Sequence, residues 1–294
     1  MAKAREFLKR AKTVKSIRSV TRAMELVAST RFRRAHEQAA SARPYTDRLF
    51  DLVGDMVARS QPGELDHPLL REHPDVHRDV LMILGSGRGL CGPYNINVMQ
   101  VGLERLGQLL AGDYALELHV SGKAGIEYLR FRGIAIDQEY TGFGYLPAFR
   151  PIARLADSIM ARFVDGEIGG LEIAYTQYFA GREPRCVIAQ LLPLHHAAPE
   201  PDRWVLGEPA PYEFLPDRGL ILQRLLPATV RLRLYQCFLD AGVTEQVARI
   251  QAMRSATDNA DEMIHDLTVR YNRTRQAQIT TELAEIMGGA VSME

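Results

Sequence analysis

The chain has 294 residues with 36 basic and 36 acidic side chains, so its formal charge is zero, and 46% of it is hydrophobic. These values exclude a collagen, a disulfide scaffold and a disordered tail. With 24% charged residues and no apolar run of about 18, neither a membrane-crossing helix nor a secretory leader is expected, and the chain reads as cytoplasmic. The zero hides an asymmetry. Residues 1–35 hold eleven basic side chains against Glu6 and Glu25, which makes that segment +9 and the remainder −9.

From Lys3 to about Val57 the sequence predicts one long helix, interrupted only by Pro44. Phe7, Val14, Ile17, Met24 and Ala28 recur at heptad-like spacing, with Arg10, Thr21 and Arg31 in the remaining seam positions. Leu8, Ala11, Val20 and Val27 widen the stripe. Gln61-Pro62-Gly63 ends the helix, and Asp66-His67-Pro68 and His73-Pro74 continue as loop.

Between residues 78 and 195 strands alternate with helices. Strands are expected at Val80 to Leu84, Leu116 to Val120, Leu171 to Phe179 and Arg185 to Leu194. Helices are expected at Asn95 to Leu110, Lys123 to Arg132 and Ile152 to Val164. This order predicts a small α/β, Rossmann-like domain with a partly parallel sheet. Residues 196–216 carry five prolines and read as a linker.

A second helical segment runs from Asp217 to about Met287, long enough at helical rise to span roughly 105 Å. Its seam is Val243, Gln246, Ile250, Met253, Thr257, Ala260, Ile264, Leu267 and Tyr271, turning polar at Thr274, Gln278 and Thr281. Such a helix needs a long partner, and the first helix supplies one if the two run antiparallel. Counting from their shared end, pairing should stop near residue 272. That register sets Lys3 to Arg18 opposite residues 257–272, where Asp258, Asp261, Glu262 and Asp266 lie. The fold class is therefore α/β plus a long antiparallel two-helix coiled coil, divided as 1–60, 78–195, linker 196–216 and 217–294.

Several motifs bear on chemistry. Gly87-Arg88-Gly89-Leu90-Cys91-Gly92 fits the glycine pattern of a dinucleotide-binding turn between a strand and a helix. Against that reading, Pro93 removes an amide and no acid ends the following strand. Gly122-Lys123-Ala124 lacks the spacer and hydroxyl of a phosphate loop. His195-His196 point apart and make no metal pair. Cys91, Cys186 and Cys237 form no CxxC pair and fit a reducing compartment. The basic first helix could follow a phosphate backbone, but Phe7 and Phe32 are the only aromatic residues in its basic stretch, 1–35, and acids face part of it. No catalytic, cofactor-binding or metal residue is assigned.

The residues also resemble a family. Thr21-Arg22-Ala23-Met24-Glu25-Leu26-Val27-Ala28, Ala42-Arg43-Pro44-Tyr45, Arg88-Gly89-Leu90-Cys91-Gly92, Gln190-Leu191-Leu192-Pro193, Thr257-Asp258-Asn259-Ala260, Tyr271 to Ala277 and Ile279 to Leu283 are similar, in order, to the γ subunit of bacterial F-type ATP synthases. The resemblance implies a non-catalytic central-stalk rotor, present in one copy, turning inside α and β subunits. An ε subunit and a membrane c-type ring would sit at its foot, on the cytoplasmic face of the inner membrane, with no cofactor and no nucleic acid. It further implies β-subunit contacts at Met24, Arg22, Arg31, Arg33, Arg34, Arg249, Arg275, Gln276 and Thr280, and a foot contact at Tyr212 and Glu213. The alternatives are a basic coiled-coil nucleic-acid binder and a dinucleotide enzyme.

Overall fold

The computed structural model describes residues 2–58, 67–111, 115–194 and 218–291. In chain order these form α1 (Ala2–Ala58), a 3₁₀ turn (Pro68–Leu70), β1 (Arg78–Leu84), α2 (Tyr94–Leu110), β2 (Ala115–Ser121), α3 (Lys123–Phe131), β3 (Gln138–Tyr140), α4 (Phe149–Val164), β4 (Gly170–Gln177), β5 (Arg185–Leu192) and α5 (Arg218–Val291). The two long helices, 57 and 74 residues, each contain a proline, Pro44 and Pro227, without interruption. The linker 196–216 lies outside the described residues. Contacts divide the chain into two compact units, residues 31–248 and residues 1–30 with 249–294.

The larger unit is built on a five-stranded sheet of order β3-β2-β1-β4-β5. β1 pairs in parallel with β2 and β4, β2 in parallel with β3, and β5 returns antiparallel to β4. Side chains alternate across the sheet, so β1 feeds two cores. Leu81 and Ile83 join Val98 and Met99 of α2 and Ile126 and Leu129 of α3. Val80, Met82 and Leu84 face α4 through Ile152, Ala156 and Phe163, and the same core takes Ala35, Ala39, Val53 and Met56 of α1 with Leu222, Leu226, Val230 and Leu234 of α5. This explains why β1 reads as an unbroken apolar run: a parallel strand covered on both faces has no solvent side.

Two elements escape the sequence reading. β3 is three residues, Gln-Glu-Tyr, at a sheet edge, and polarity and brevity are how edge strands avoid further pairing. The 3₁₀ turn follows His67, whose Nδ1 accepts a hydrogen bond from the Leu69 amide at 3.1 Å.

In the smaller unit α1 and α5 pair antiparallel. The Thr21 and Thr257 hydroxyls lie 2.8 Å apart, Arg18 Nε meets Asp261 Oδ1 at 2.7 Å, and Arg254 Nε lies 3.4 Å from Glu25 Oε1. Arg18 was expected opposite residue 257, so the true register is displaced by about one helical turn. The seam also differs in composition. Ala4, Ala11, Thr21, Glu25 and Ala28 are buried, Phe7 and Val14 half-buried, whereas Ile17, Val20 and Val27 are 51–58% exposed and Arg10 is exposed, bonded to Glu6 within its own helix. On α5 Met253, Thr257, Ala260, Ile264, Leu267, Tyr271, Thr274 and Gln278 are buried or half-buried in an unbroken 4-3 spacing, with Ala252 and Ala256 half-buried at its flank. Burial along this stripe of α5 therefore continues past residue 272 through Thr274 to Gln278, in keeping with the shifted register, and Ile279 to Leu283 are exposed. The buried positions of α1, at 4, 7, 11, 14, 21, 25 and 28, follow the 4-3 spacing of a coiled-coil seam, and Ile17, Val20 and Val27 fall outside it.

Candidate partner-binding surface

The glycine-rich turn after β1 is held from inside. Asn95 of α2 accepts from the Ser86 amide at 2.9 Å and donates to Ser86 Oγ at 2.8 Å, while Ser86 Oγ donates to the Arg88 carbonyl at 2.8 Å. Cys91 is buried beside them, and Leu90 takes a positive φ of 64° with its side chain in solvent. Strand order reverses at β1, so a dinucleotide would enter between the carboxyl ends of β1 and β4. That crevice is filled. Tyr94 is buried there and donates to the Ala241 carbonyl at 3.2 Å, and Thr244 Oγ1 donates to the Thr176 carbonyl of β4 at 3.2 Å. Helix α5 thus lies where the cofactor would bind, and the dinucleotide reading fails on geometry. Burial pushes the Tyr94 hydroxyl far above its usual range, so it stays a donor.

An open cleft of about 760 Å³ lies over β2 and β3 beside α4. Its floor carries Glu117, which accepts two hydrogen bonds from Arg162 at 2.7 and 3.0 Å, and His119, buried, with Nδ1 3.3 Å from the Tyr140 hydroxyl and Nε2 3.5 Å from Glu117. The Arg162 guanidinium holds Glu117 below the usual carboxylate range. Burial depresses His119, with Glu117 opposing. A base whose folded pKa is depressed binds fewer protons than the unfolded chain, so its stability contribution is lost as pH falls below its ordinary 6.5. We expect the unfolding free energy obtained from urea titrations to drop between pH 7 and pH 5.5 by as much as about 1.4 kcal/mol per pH unit, and His119→Gln to flatten that slope.

The predicted contact residues fall into distinct settings. Arg22 is exposed on the smaller unit, its Nη1 2.9 Å from buried Glu25, which also holds Arg254. Met24 is half-buried beside the seam. Arg275, Gln276 and Thr280 are all exposed, off the 274/278 seam positions. Arg249, by contrast, is only 5% exposed. In the larger unit Arg33 and Arg34 are exposed, while Arg31 is half-buried and stands 5.2 Å over the Tyr145 ring. Tyr212, Glu213, His195 and His196 lie outside the described residues.

Sequence reasoning missed the Glu25 cluster, because an acid in a basic helix looks like surface compensation. Its signal was the 4-3 spacing that places it between Thr21 and Ala28 on the same seam. Of the four acids expected to face α1, Asp261 does so through Arg18, and Asp266 instead pairs with Arg270 on its own helix at 2.9 Å. The smaller unit thus presents separated guanidiniums and an exposed stripe of Ile17, Val20 and Val27, a surface suited to protein partners. No helix among the described residues is long and apolar enough to cross a membrane.

A family model described as ATP synthase matches residues 3–293. The ATP synthase gamma chain of Rhodopirellula baltica is 37% identical over the full length of both chains, and that of Frankia casuarinae is 37% identical, covering 97% of this chain and 96% of its own. Among solved structures, a chain of the Euglena gracilis mitochondrial ATP synthase (OSCP/F1/c-ring) superposes with a TM-score of 0.67 at 15% identity, covering 99% of this chain and 95% of that one. A chain of the rotor of the same synthase gives 0.63 at 13% identity, covering 95% and 99%. The nucleic-acid and dinucleotide alternatives find no support in these likenesses. The chain belongs to the ATP synthase gamma chain family.

Proposed function

We propose that this protein is the central-stalk rotor of an F-type ATP synthase, coupling ion flow through a membrane ring to ATP synthesis or hydrolysis in the catalytic β subunits. The observation that carries this reading is the end-to-end kinship with gamma chains, including both long helices. Functionally, 1–60 and 217–294 serve as the shaft, 78–195 as the foot, and 196–216 as the link between foot and second shaft helix. The protein itself makes no bond; chemistry belongs to the β subunits. One asymmetric copy is needed, since equivalent sites in a ring are driven through different states only by a body that meets each one differently.

In this reading α and β subunits surround the coiled coil, an ε subunit and a c-type ring bind the foot, and the complex sits on the cytoplasmic face of the inner membrane. Arg22, Arg33 and Arg34 offer solvent-facing charge to acidic β-subunit loops, Met24 packs beside them, and Arg275, Gln276 and Thr280 meet a β-subunit loop near the tip. Arg249 acts from within the helix pair rather than as a free contact. Tyr212 and Glu213 belong to the foot side. Co-expression with α, β and ε subunits of the same source tests the reading: one copy should co-purify per head, whereas a free monodisperse protein would speak against it.

A further inference from the structure

We propose that the segment joining β3 to α4, with the first residue of α4 (residues 141–149), is a collar that fastens α1 and α5 to the sheet, and that Arg31, Tyr145 and Gly242 are its positioning residues for torque transfer; the functional half of this rests on the rotor reading. The segment touches both helices through different chemistry. On α5 it meets Tyr235, Phe238 and Gly242, one helical stripe: Phe149 lies edge-on to Tyr235 at 5.3 Å and Phe143 edge-on to Phe238 at 4.8 Å. On α1 it meets Arg31 and Gln38, two turns apart on one face. Gln38 Nε2 donates to the Pro147 carbonyl at 3.2 Å and also bonds the Tyr235 hydroxyl, linking both helices at the collar.

Tyr145 is where the two sides meet. Its ring lies under the Arg31 guanidinium of α1, at 5.2 Å, while its carbonyl rests on Gly242 of α5. A Cβ at position 242 would stand 2.3 Å from that carbonyl oxygen, a backbone atom that cannot swing aside. The glycine is required by this approach. The Arg31 assignment changes with it: a side chain stacked on an aromatic ring of its own chain is engaged within the fold, not held ready for a partner carboxylate. Because the collar continues directly into β3 and α4, twist applied to the sheet reaches both helices through it as well as through the nondirectional apolar core.

The test is a double-mutant cycle of Arg31→Ala and Tyr145→Leu, with Tyr145→Phe as the conservative control. The full complex is placed in inverted vesicles, and protons pumped per ATP hydrolysed are measured alongside melting of the free full-length chain. Each single variant should lower the pumping ratio about threefold, the double variant no further, and Tyr145→Phe should match wild type. Losses that multiply, or a loss with Arg31→Ala alone, would overturn the proposal and return Arg31 to partner binding. Should the wild-type chain fail to assemble, the rotor reading falls with the torque role. The melting cycle still judges the collar itself, non-additive shifts supporting it and additive shifts overturning it.

Discussion

Gly122→Ala is expected to destabilise the α/β unit by about 3–5 kcal/mol, the sum of a strained backbone and a forced overlap. Gly122 has a φ of 98°, a conformation that side chains with a Cβ rarely adopt. A Cβ there would lie 2.4 Å from the Gly85 carbonyl oxygen and 2.7 Å from that of Ser86, so the clash is with backbone. The closeness has a purpose. Gly122 starts α3 at the end of β2 while Gly85 follows β1, and their contact knits two parallel strand ends: the Gly85 amide donates to Ser121 at 2.7 Å and the Ala124 amide to Ser86 at 3.1 Å. Moving either segment breaks these bonds and shifts Ser86, which anchors the glycine-rich turn. Urea unfolding should show the loss in midpoint at unchanged slope. A variant as stable as wild type would mean that the two strand ends are not in contact.

Replacing Arg275 and Gln276 together by alanine is expected to reduce ATP-driven proton pumping about tenfold while leaving the free chain's stability within about 0.5 kcal/mol of wild type. Both residues are exposed, and neither occupies the 271/274/278 seam, so the helix pair does not depend on them. Two polar contacts to a partner, each contributing about 0.7 kcal/mol, together correspond to that factor. The stability measurement separates the two ways pumping could fall. Normal pumping would remove both residues from the set of coupling contacts, and reduced pumping with a destabilised chain would assign them to the fold.

Periodicity made the long helices and the alternating core legible, because helix and sheet repeats differ and each burial stripe is long. It was misleading on α1, where two apolar stripes lie side by side and only one is the seam. Ile17 and Val20 look like core, yet they are exposed while Ala4 and Ala11 are buried, since the 4-3 spacing of the seam passes the larger residues by. The register was displaced for a related reason. Counting residues from a shared end assumes equal starting points, whereas the pairing is fixed locally by Thr21 with Thr257 and Glu25 with Arg254. β3 carries too few residues for a period to show. Of the candidate site, surface positions such as Arg22 and Arg275 were readable as exposed helix faces. Arg31 was not, because its aromatic partner lies 114 positions away in a loop whose path no local pattern reveals.

The central claim is that this chain turns as one asymmetric body within a catalytic ring. Its most direct test is single-molecule observation of a bead attached to the α/β unit of this protein, assembled with the α and β subunits fixed to a surface. Unidirectional, ATP-dependent rotation is the expected result. A head that hydrolyses ATP with the chain bound while the bead stays still would contradict the account.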